Sequence, residues 1–530
     1  MIIDTNKFPF EQIREIQETL IDEINLHKDS RFFILNGATG VGKSALGVAA
    51  IRTLGKGYYI TMTKQLQDQL QNDFGSLSLT NIKGKANYQC KRNAFANCEC
   101  GPCLVKKSVA ADCIKNKRCT YHNLKQQALE SDIFLTSYKF LFRAIDCANW
   151  TDDRDVIVFD EAHLLEGELV DFAAFTLDTE ILNGKYGLLE ECVGNEVFIC
   201  QNMPKDNVGD IKKWIYTIWK PIQKRYQLLK RQLEIAVESE NETDIKAAHS
   251  ALYEFDKLHK KMENYWNSVN EDWLYEVKDL KVIVTPLDVS WIFREFIENK
   301  SKKFIFMSAT IFDPKCFCDT IGIDPNETSY IRSGSIFDSK KSPVYQICSC
   351  KTDYQSLQNP HNLSLIADSI RDILKQHSNE KGLIHTGNFG VSKYLKQNLK
   401  DPRLLIRYEK DTNDKILQQH KLLKAPTVLV SSSMTEGVDL IDDLGRFQII
   451  VKLPWPSLAD KRVKKLSEKK PNWYQIQCLE KLVQACGRST RSENDHCRTY
   501  LLDAKAKYWI GLWKKNNWVP DYFIDRLINV

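Results

Sequence analysis

Apolar residues along this chain follow two rhythms, and the switches between them outline the architecture. Phe32-Phe33-Ile34-Leu35, Tyr58-Tyr59-Ile60-Thr61, Ile133-Phe134-Leu135 and Val156-Ile157-Val158-Phe159 are short and almost solidly apolar. Strands buried on both faces of a parallel sheet have that pattern. Helix-forming stretches lie between them, including Ala45 to Leu54 and the amphipathic run Lys64 to Leu70. From about residue 176 to 280 the period lengthens. Ile211, Ile215, Ile218, Ile222, Tyr226, Leu229 and Leu233 recur at steps of three and four, as do Ile245, Ala248, Leu252, Phe255, Met262 and Tyr265 with one gap. This spacing predicts two long amphipathic helices. The polar turn Glu238 to Thr243 joins them into an antiparallel hairpin, and Pro221 is expected to kink the first helix. Their Trp214, Trp219, Tyr226 and Trp266 suit core packing better than base stacking. Short runs then return at Lys303 to Met307, Leu383 to Thr386, Thr427 to Ser431, Phe447 to Val451 and Thr499 to Asp503. The fold class is therefore α/β: two doubly wound domains, the first interrupted by a helical hairpin.

Chemistry enters directly after the first run. Gly37-Ala38-Thr39-Gly40-Val41-Gly42-Lys43-Ser44 fits the phosphate-loop pattern G-x-x-x-x-G-K-[ST], and it stands between a strand and a helix as that loop requires. Gly37, Gly40 and Gly42 let backbone N–H groups face phosphate oxygens, Lys43 reaches the outer phosphates, and the Ser44 hydroxyl is suited to Mg²⁺. Upstream, Arg14 and Gln17 are three apart and share a helical face. They are either a solvated pair or a frame for the nucleotide base.

The run at Val156 ends in Asp160-Glu161-Ala162-His163, which brings two carboxylates to the mouth of a parallel sheet. Asp160 is expected to hold Mg²⁺, and Glu161 to orient and deprotonate the attacking water. The second α/β domain has no phosphate loop of its own. Its polar signatures are Glu436-Gly437-Val438-Asp439 and Gln484 to Arg491. Arg488 and Arg491, three apart, are expected to reach the γ-phosphate bound by the first domain and to neutralise charge in the transition state.

Six cysteines fall between Cys90 and Cys119: Cys90, Cys98, Cys100, Cys103, Cys113 and Cys119. In a long chain without a signal-peptide core they suggest metal binding rather than disulfides. Only Cys100-Gly101-Pro102-Cys103 has zinc-knuckle spacing, so an iron–sulfur cluster fits better than Zn²⁺, which stays open. Lys83 to Lys125 carries ten Lys or Arg against Glu99 and Asp112, a balance that suits a polyanionic strand or offsets thiolate charge. The whole chain has 530 residues, 43% hydrophobic and 27% charged, and a net charge of +5. Those values are ordinary for a globular protein, and no apolar run nears the roughly 20 residues of a membrane span. A soluble, cytoplasmic protein is expected. Cys316, Cys318, Cys348 and Cys350 are read as free thiols.

In order, these motifs resemble superfamily 2 helicases and, within them, the XPD/DinG family of iron–sulfur helicases. The resemblance is carried by Arg14 to Gln17, the phosphate loop, Thr63 to Leu70, Lys83 to Cys90, Asp160 to His163, Ser308 to Thr310, Glu436 to Asp439, Leu453-Pro454-Trp455-Pro456 and Gln484 to Arg491. Gly84-Lys85-Ala86-Asn87-Tyr88-Gln89-Cys90 and Cys119-Thr120-Tyr121-His122 bound the cysteine segment as that family's do. It implies two RecA-like motor domains with an inserted iron–sulfur domain and an inserted helical arch. The limits are 1–88, 121–176 and 283–336 for the first motor domain, 89–120 for the cluster, 177–282 for the arch and 337–530 for the second motor domain. It also implies a 4Fe–4S cluster on Cys90, Cys103, Cys113 and Cys119, with Cys100 and Cys103 the rival middle pair. The ATP site would include Arg14, Gln17, Glu436 and Asp439, with Gln484 among the catalytic groups. A monomeric ATP-driven 5′ to 3′ helicase acting on single-stranded and forked DNA follows, with no nuclease domain ahead of the core. A protein-displacing or RNA-remodelling ATPase and a zinc-bearing scaffold are the alternatives.

Overall fold

The computed structural model describes residues 2–38, 40–92, 97–99, 103, 107–145, 153–178, 208–239, 242–268, 272–279, 281–336, 338–406, 413–432, 440, 442–487 and 495–529. Strands β1 (Phe32–Asn36), β2 (Gly57–Thr61), β3 (Leu79–Asn81), β4 (Ile133–Ser137) and β5 (Arg154–Asp160) come first. β6 (Phe175–Asp178), β7 (Trp273–Lys278) and β8 (Lys281–Pro286) form a separate antiparallel sheet in the order β6-β8-β7. The chain then returns with β9 (Ser301–Ser308) and β10 (Thr328–Arg332) to complete a seven-stranded sheet, β10-β1-β9-β5-β2-β4-β3. Every pairing in it is parallel.

Alternation along the strands explains their solid apolar runs. Phe32, Ile34, Tyr58 and Ile60 enter one core, while Phe33, Leu35 and Tyr59 enter the core on the opposite face. Helices cover both faces, so each position needs an apolar side chain. The edge strand β10 alternates half-buried and buried positions instead, and its sequence gave no such signal.

The second lobe repeats the plan with β11 (Val344–Cys350), β12 (Gly382–His385), β13 (Leu404–Ile406), β14 (Val428–Ser431), β15 (Phe447–Ile450), β16 (Arg498–Asp503) and β17 (Leu527–Asn529). Their order is β13-β14-β12-β15-β16-β11-β17, again all parallel. Two parallel sheets with covering helices make a pair of RecA-like lobes, as the sequence implies.

Between β6 and β7 rise the helices Val208–Glu238 and Glu242–Ser268, packed against each other. Ile211, Ile215, Ile218, Ile222, Leu229, Phe255, Met262 and Tyr265 are buried in their contact, as the period of three and four predicts. The first runs through Pro221 as a single helix. Trp214 and Trp219 are buried, Trp266 packs 5.3 Å from Trp219, and Tyr226 stacks on His259 at 4.1 Å, so these aromatics serve the hairpin's own core. The small sheet at the base was not predicted. Lys261 Nζ ties the second helix to the first lobe by donating to the Asp171 and Ala174 carbonyls at the end of helix Leu165–Ala173.

Candidate active site

The loop after β1 turns through Gly40 and Gly42, with φ of +87° and +85°, and helix Lys43–Leu54 starts at once. Left-handed φ favours glycine, and at Gly42 there is a second reason: a Cβ would stand 2.2 Å from Gln17 Nε2 and 2.6 Å from Arg14 Nη2. Arg14 Nη1 donates to Gly40 O at 2.9 Å, and Gln17 Nε2 to Val41 O at 3.1 Å. Gln17 is buried, and its Oε1 accepts from the Arg14 backbone N–H. The two side chains thus brace the phosphate loop from behind. Lys43 Nζ donates to the Gly37 and Ala38 carbonyls at 2.7 and 3.3 Å, inside the loop's own curve.

Asp160 ends β5, two strands from β1 across β9, and is buried. Tyr59 donates to its Oδ2 at 3.1 Å and the Glu161 N–H to its Oδ1 at 3.0 Å. Burial, then the Glu161 charge, pushes the carboxyl up to about 6, against the pull of Lys43. A cation beside it would relieve that strain. Glu161 takes the left-handed conformation, φ 53°, which turns its side chain away from the core into half-exposure. Such strain on a non-glycine residue is a mark of working sites.

His163 connects this centre to the other lobe. Its Nδ1 bonds the Ser308 hydroxyl at 2.9 Å, and its Nε2 accepts from Gln484 Nε2 at 2.8 Å. Gln484 also donates to Thr310 Oγ1 at 3.2 Å, and the Thr310 N–H donates to Ser308 Oγ at 3.0 Å. Gln484 sits near the end of helix Pro471–Gly487 in the second lobe. Glu436, Asp439, Arg488 and Arg491 lie outside the described residues, as does Cys100.

A second contact between lobes was missed in the sequence. Glu166 accepts from Arg462 at 2.6 Å and from the Trp473 indole N–H at 2.8 Å, and Arg462 also donates to the Pro286 and Leu287 carbonyls. Leu287, Leu466 and Trp473 form its apolar centre. No local spacing marks three residues that far apart in the chain.

The cysteine segment folds onto the first lobe, with Cys98, Cys113, Cys119 and Tyr121 continuous with its core. Cys98 Sγ lies 3.8 Å from Cys119 Sγ. Burial, then Cys119, and further down Cys90 push the Cys98 thiol up to about 12. Burial also raises Cys103, with Cys119, Cys113 and Cys90 adding to it. Among the described residues no three His, Cys, Asp or Glu are arranged around a single ion. Cys98, which the family resemblance does not count among the cluster ligands, is the thiol in contact with Cys119. Beside the segment is a cavity of about 780 Å³, bordered by Lys85, Tyr121, Arg143, Lys257 and Lys260. A hydrogen bond from Tyr253 of the hairpin to Glu99 of the segment spans its rim.

Two parallel-sheet lobes, one with a phosphate loop facing paired carboxylates and the other reaching in through Gln484, define a two-lobed nucleotide-hydrolysing motor. Comparisons with known proteins sharpen this. The Helicase C-terminal domain family model matches residues 385–515, and the model described as Type III restriction enzyme, res subunit, matches residues 10–181. A probable ATP-dependent helicase of Methanocaldococcus jannaschii is 22% identical over 95% of this chain and 93% of its own length. The ATP-dependent DNA helicase YoaA of Escherichia coli is 21% identical over 81% of this chain and 80% of its own. In fold, a solved structure titled as an XPD helicase superposes with a TM-score of 0.65 at 16% identity, covering 98% of this chain and all of that one. The S. tokodaii Xpd4 structure gives 0.57 at 14% identity, covering 97% and 99%. The chain is an XPD/DinG-like, ATP-hydrolysing helicase of superfamily 2. No described helix is long and apolar enough to cross a membrane.

Proposed function

We propose that this protein is an ATP-dependent DNA helicase that moves 5′ to 3′ along single-stranded DNA and opens duplex or forked substrates. The observation that carries the reading is the bridge from His163 and Thr310, beside the nucleotide site, to Gln484 of the second lobe. It gives cleft chemistry a rigid route to lobe movement. Lys43 binds the outer phosphates, Ser44 and Asp160 hold the cation, and Glu161 takes the proton of the attacking water. Mg²⁺ bound there supplies charge neutralisation on the phosphates. The motif reading assigns Arg488 and Arg491 to the γ-phosphate and Glu436 and Asp439 to the ATP site. Arg14 and Gln17 hold the loop in shape and border the base.

The crowded, desolvated thiols fit an iron–sulfur cluster, because iron offsets the charge that burial resists. Each iron of such a cluster takes its own thiolate, so the ligands need not meet at one point. Cys90, Cys103, Cys113 and Cys119 would hold it, with Cys98 in the same shell, and a 4Fe–4S cluster would supply rigidity rather than a reaction step. The aromatic-lined cavity between segment, hairpin and first lobe, in which six Lys or Arg face the carboxylates Glu99, Glu168, Asp171 and Asp256, suits a single strand, which binds through phosphate neutralisation and ring stacking. YoaA is named as a DNA helicase, which favours DNA over RNA.

The test is strand displacement on 5′- and 3′-tailed duplexes with anaerobically purified protein, beside iron and sulfide analysis. Displacement of 5′-tailed DNA only, abolished in Lys43→Ala while strand binding persists, is expected. ATP turnover unchanged in Lys43→Ala would refute the site.

A further inference from the structure

Helix Lys461–Lys469 of the second lobe carries a stripe of side chains directed at the hairpin. Arg462, Leu466 and Lys469 follow one another at steps of four and three, so they share one face. That face meets the hairpin root, where the ribbon β7–β8 is closed by the Leu287 N–H on the Asp272 carbonyl at 2.6 Å. Lys469 Nζ lies 2.5 Å from Asp272 Oδ1. Arg462 donates through Nε to Pro286 O at 3.0 Å and through Nη2 to Leu287 O at 3.2 Å. Leu466 is buried with Leu287 and Trp473, and Val463 and Leu274 of β7 pack against them. Two cations of one helix thus clasp both ends of the ribbon around an apolar seat. The ribbon is in turn locked to the second hairpin helix. Trp273 meets Tyr265 edge-on at 4.9 Å, the Tyr275 and Tyr265 hydroxyls are 2.8 Å apart, and Tyr265 is buried. From Tyr265, Lys261, Lys257 and Tyr253 follow at steps of four along that helix, and these three border the cavity.

We propose that helix Lys461–Lys469 is the second lobe's grip on the hairpin, through which closure of the nucleotide cleft moves the cavity wall formed by Tyr253 and Lys257. The inference rests on the motor reading above and adds a route from cleft to strand cavity outside the recognised motifs. The ribbon belongs to the first lobe by chain order, so a root that both lobes hold must follow the second lobe or let it go. Packed side chains pass such a shift on rather than absorb it. Lys261, bonded to the Asp171 and Ala174 carbonyls of the first lobe, is the fulcrum. The arm from Lys261 to Tyr253 is about 12 Å and that to Tyr265 about 6 Å, so a movement at the root roughly doubles at the cavity.

The experiment is hydrogen–deuterium exchange of the full chain, anaerobically purified, with and without Mg²⁺, ADP and beryllium fluoride. In wild type the exchange should change both in residues 40–54 and in residues 253–265. Lys469→Glu sets a carboxylate against Asp272, and both positions are partly exposed, so the core is untouched. The hairpin response should then fall about fivefold, the scale of an exposed ion pair, while the loop response stays. Adding Asp272→Lys to Lys469→Glu makes an attractive pair of opposite sense and should restore the response. Strands displaced per ATP hydrolysed should follow the same order. A wild-type hairpin that does not respond, a response that survives Lys469→Glu, or one that the reversed pair fails to restore overturns the proposal. A silent loop overturns it in a distinguishable way, by refuting the phosphate site itself. Should Lys469→Glu fail to fold, Asp272→Lys alone opposes like charges across the same contact and carries the same expectation.

Discussion

Replacing Asp160 by Asn should make the metal-free protein more stable while ending ATP hydrolysis. Burial and then the neighbouring Glu161 raise this carboxyl from its ordinary 3.8 to about 6. Holding it ionised in the folded state therefore costs about 3 kcal/mol at neutral pH. An Asn oxygen still accepts from Tyr59, but its NH₂ group lacks an obvious acceptor, so part of the gain is lost. The net expectation is about 1–3 kcal/mol, or roughly 3–8 °C in the melting of the first lobe. The pH dependence has a definite sign. Because the folded value lies above the unfolded one, the penalty is fully present above about 6 and fades as pH falls toward 3.8, where wild type catches up. Melting of both proteins in EDTA at pH 7.5, 6 and 4 gives the comparison. The advantage of Asp160→Asn should be largest at pH 7.5 and close to nil at pH 4. Excess Mg²⁺ at pH 7.5 should also narrow it, since cation binding stabilises only the wild type. A variant less stable than wild type at pH 7.5, or equally favoured at all three pH values, would show that Asp160 is not held under electrostatic strain.

Cys119→Ser should lose bound iron and sulfide and strand displacement while keeping some ATP turnover; a variant that unwinds normally would dismiss the rigid-segment role. Gln484→Ala removes both donors to His163 and Thr310. Strand-stimulated hydrolysis should fall about tenfold with nucleotide affinity unchanged, for a loss of about 1.4 kcal/mol in the transition state, and an unaltered stimulation would end the coupling argument. Glu166→Ala leaves Arg462 mostly buried without its carboxylate. Destabilisation by about 3 kcal/mol is expected, read as earlier separation of the lobes in denaturant; no change would mean that the contact is idle.

Much of this protein was legible from residue order alone. Parallel strands buried on both faces must be apolar at every position, so β1, β2, β4, β5, β9, β12, β14 and β15 stood out at near-correct limits. The hairpin helices followed from a period set by helix geometry, and Gly40, Gly42, Lys43 and Ser44 from the backbone demands of a phosphate cradle. Edges were not legible. β3, β13 and β17 have three residues each, and β10 alternates, so neither length nor pattern distinguishes them from loops.

Tertiary structure decided what depends on approach between distant segments. That Gln17 spends both ends of its amide on the Arg14 and Val41 backbones, that Cys98 lies against Cys119, and that Glu166 meets Arg462 and Trp473 are consequences of packing. So is the bond from the Tyr59 hydroxyl to Asp160, on a strand whose local pattern announces only a buried ring. Sequence order records what each short segment demands of its own backbone and burial. Which side chains share a proton or a charge is set by the three-dimensional path that brings their segments together, and no local pattern encodes that path.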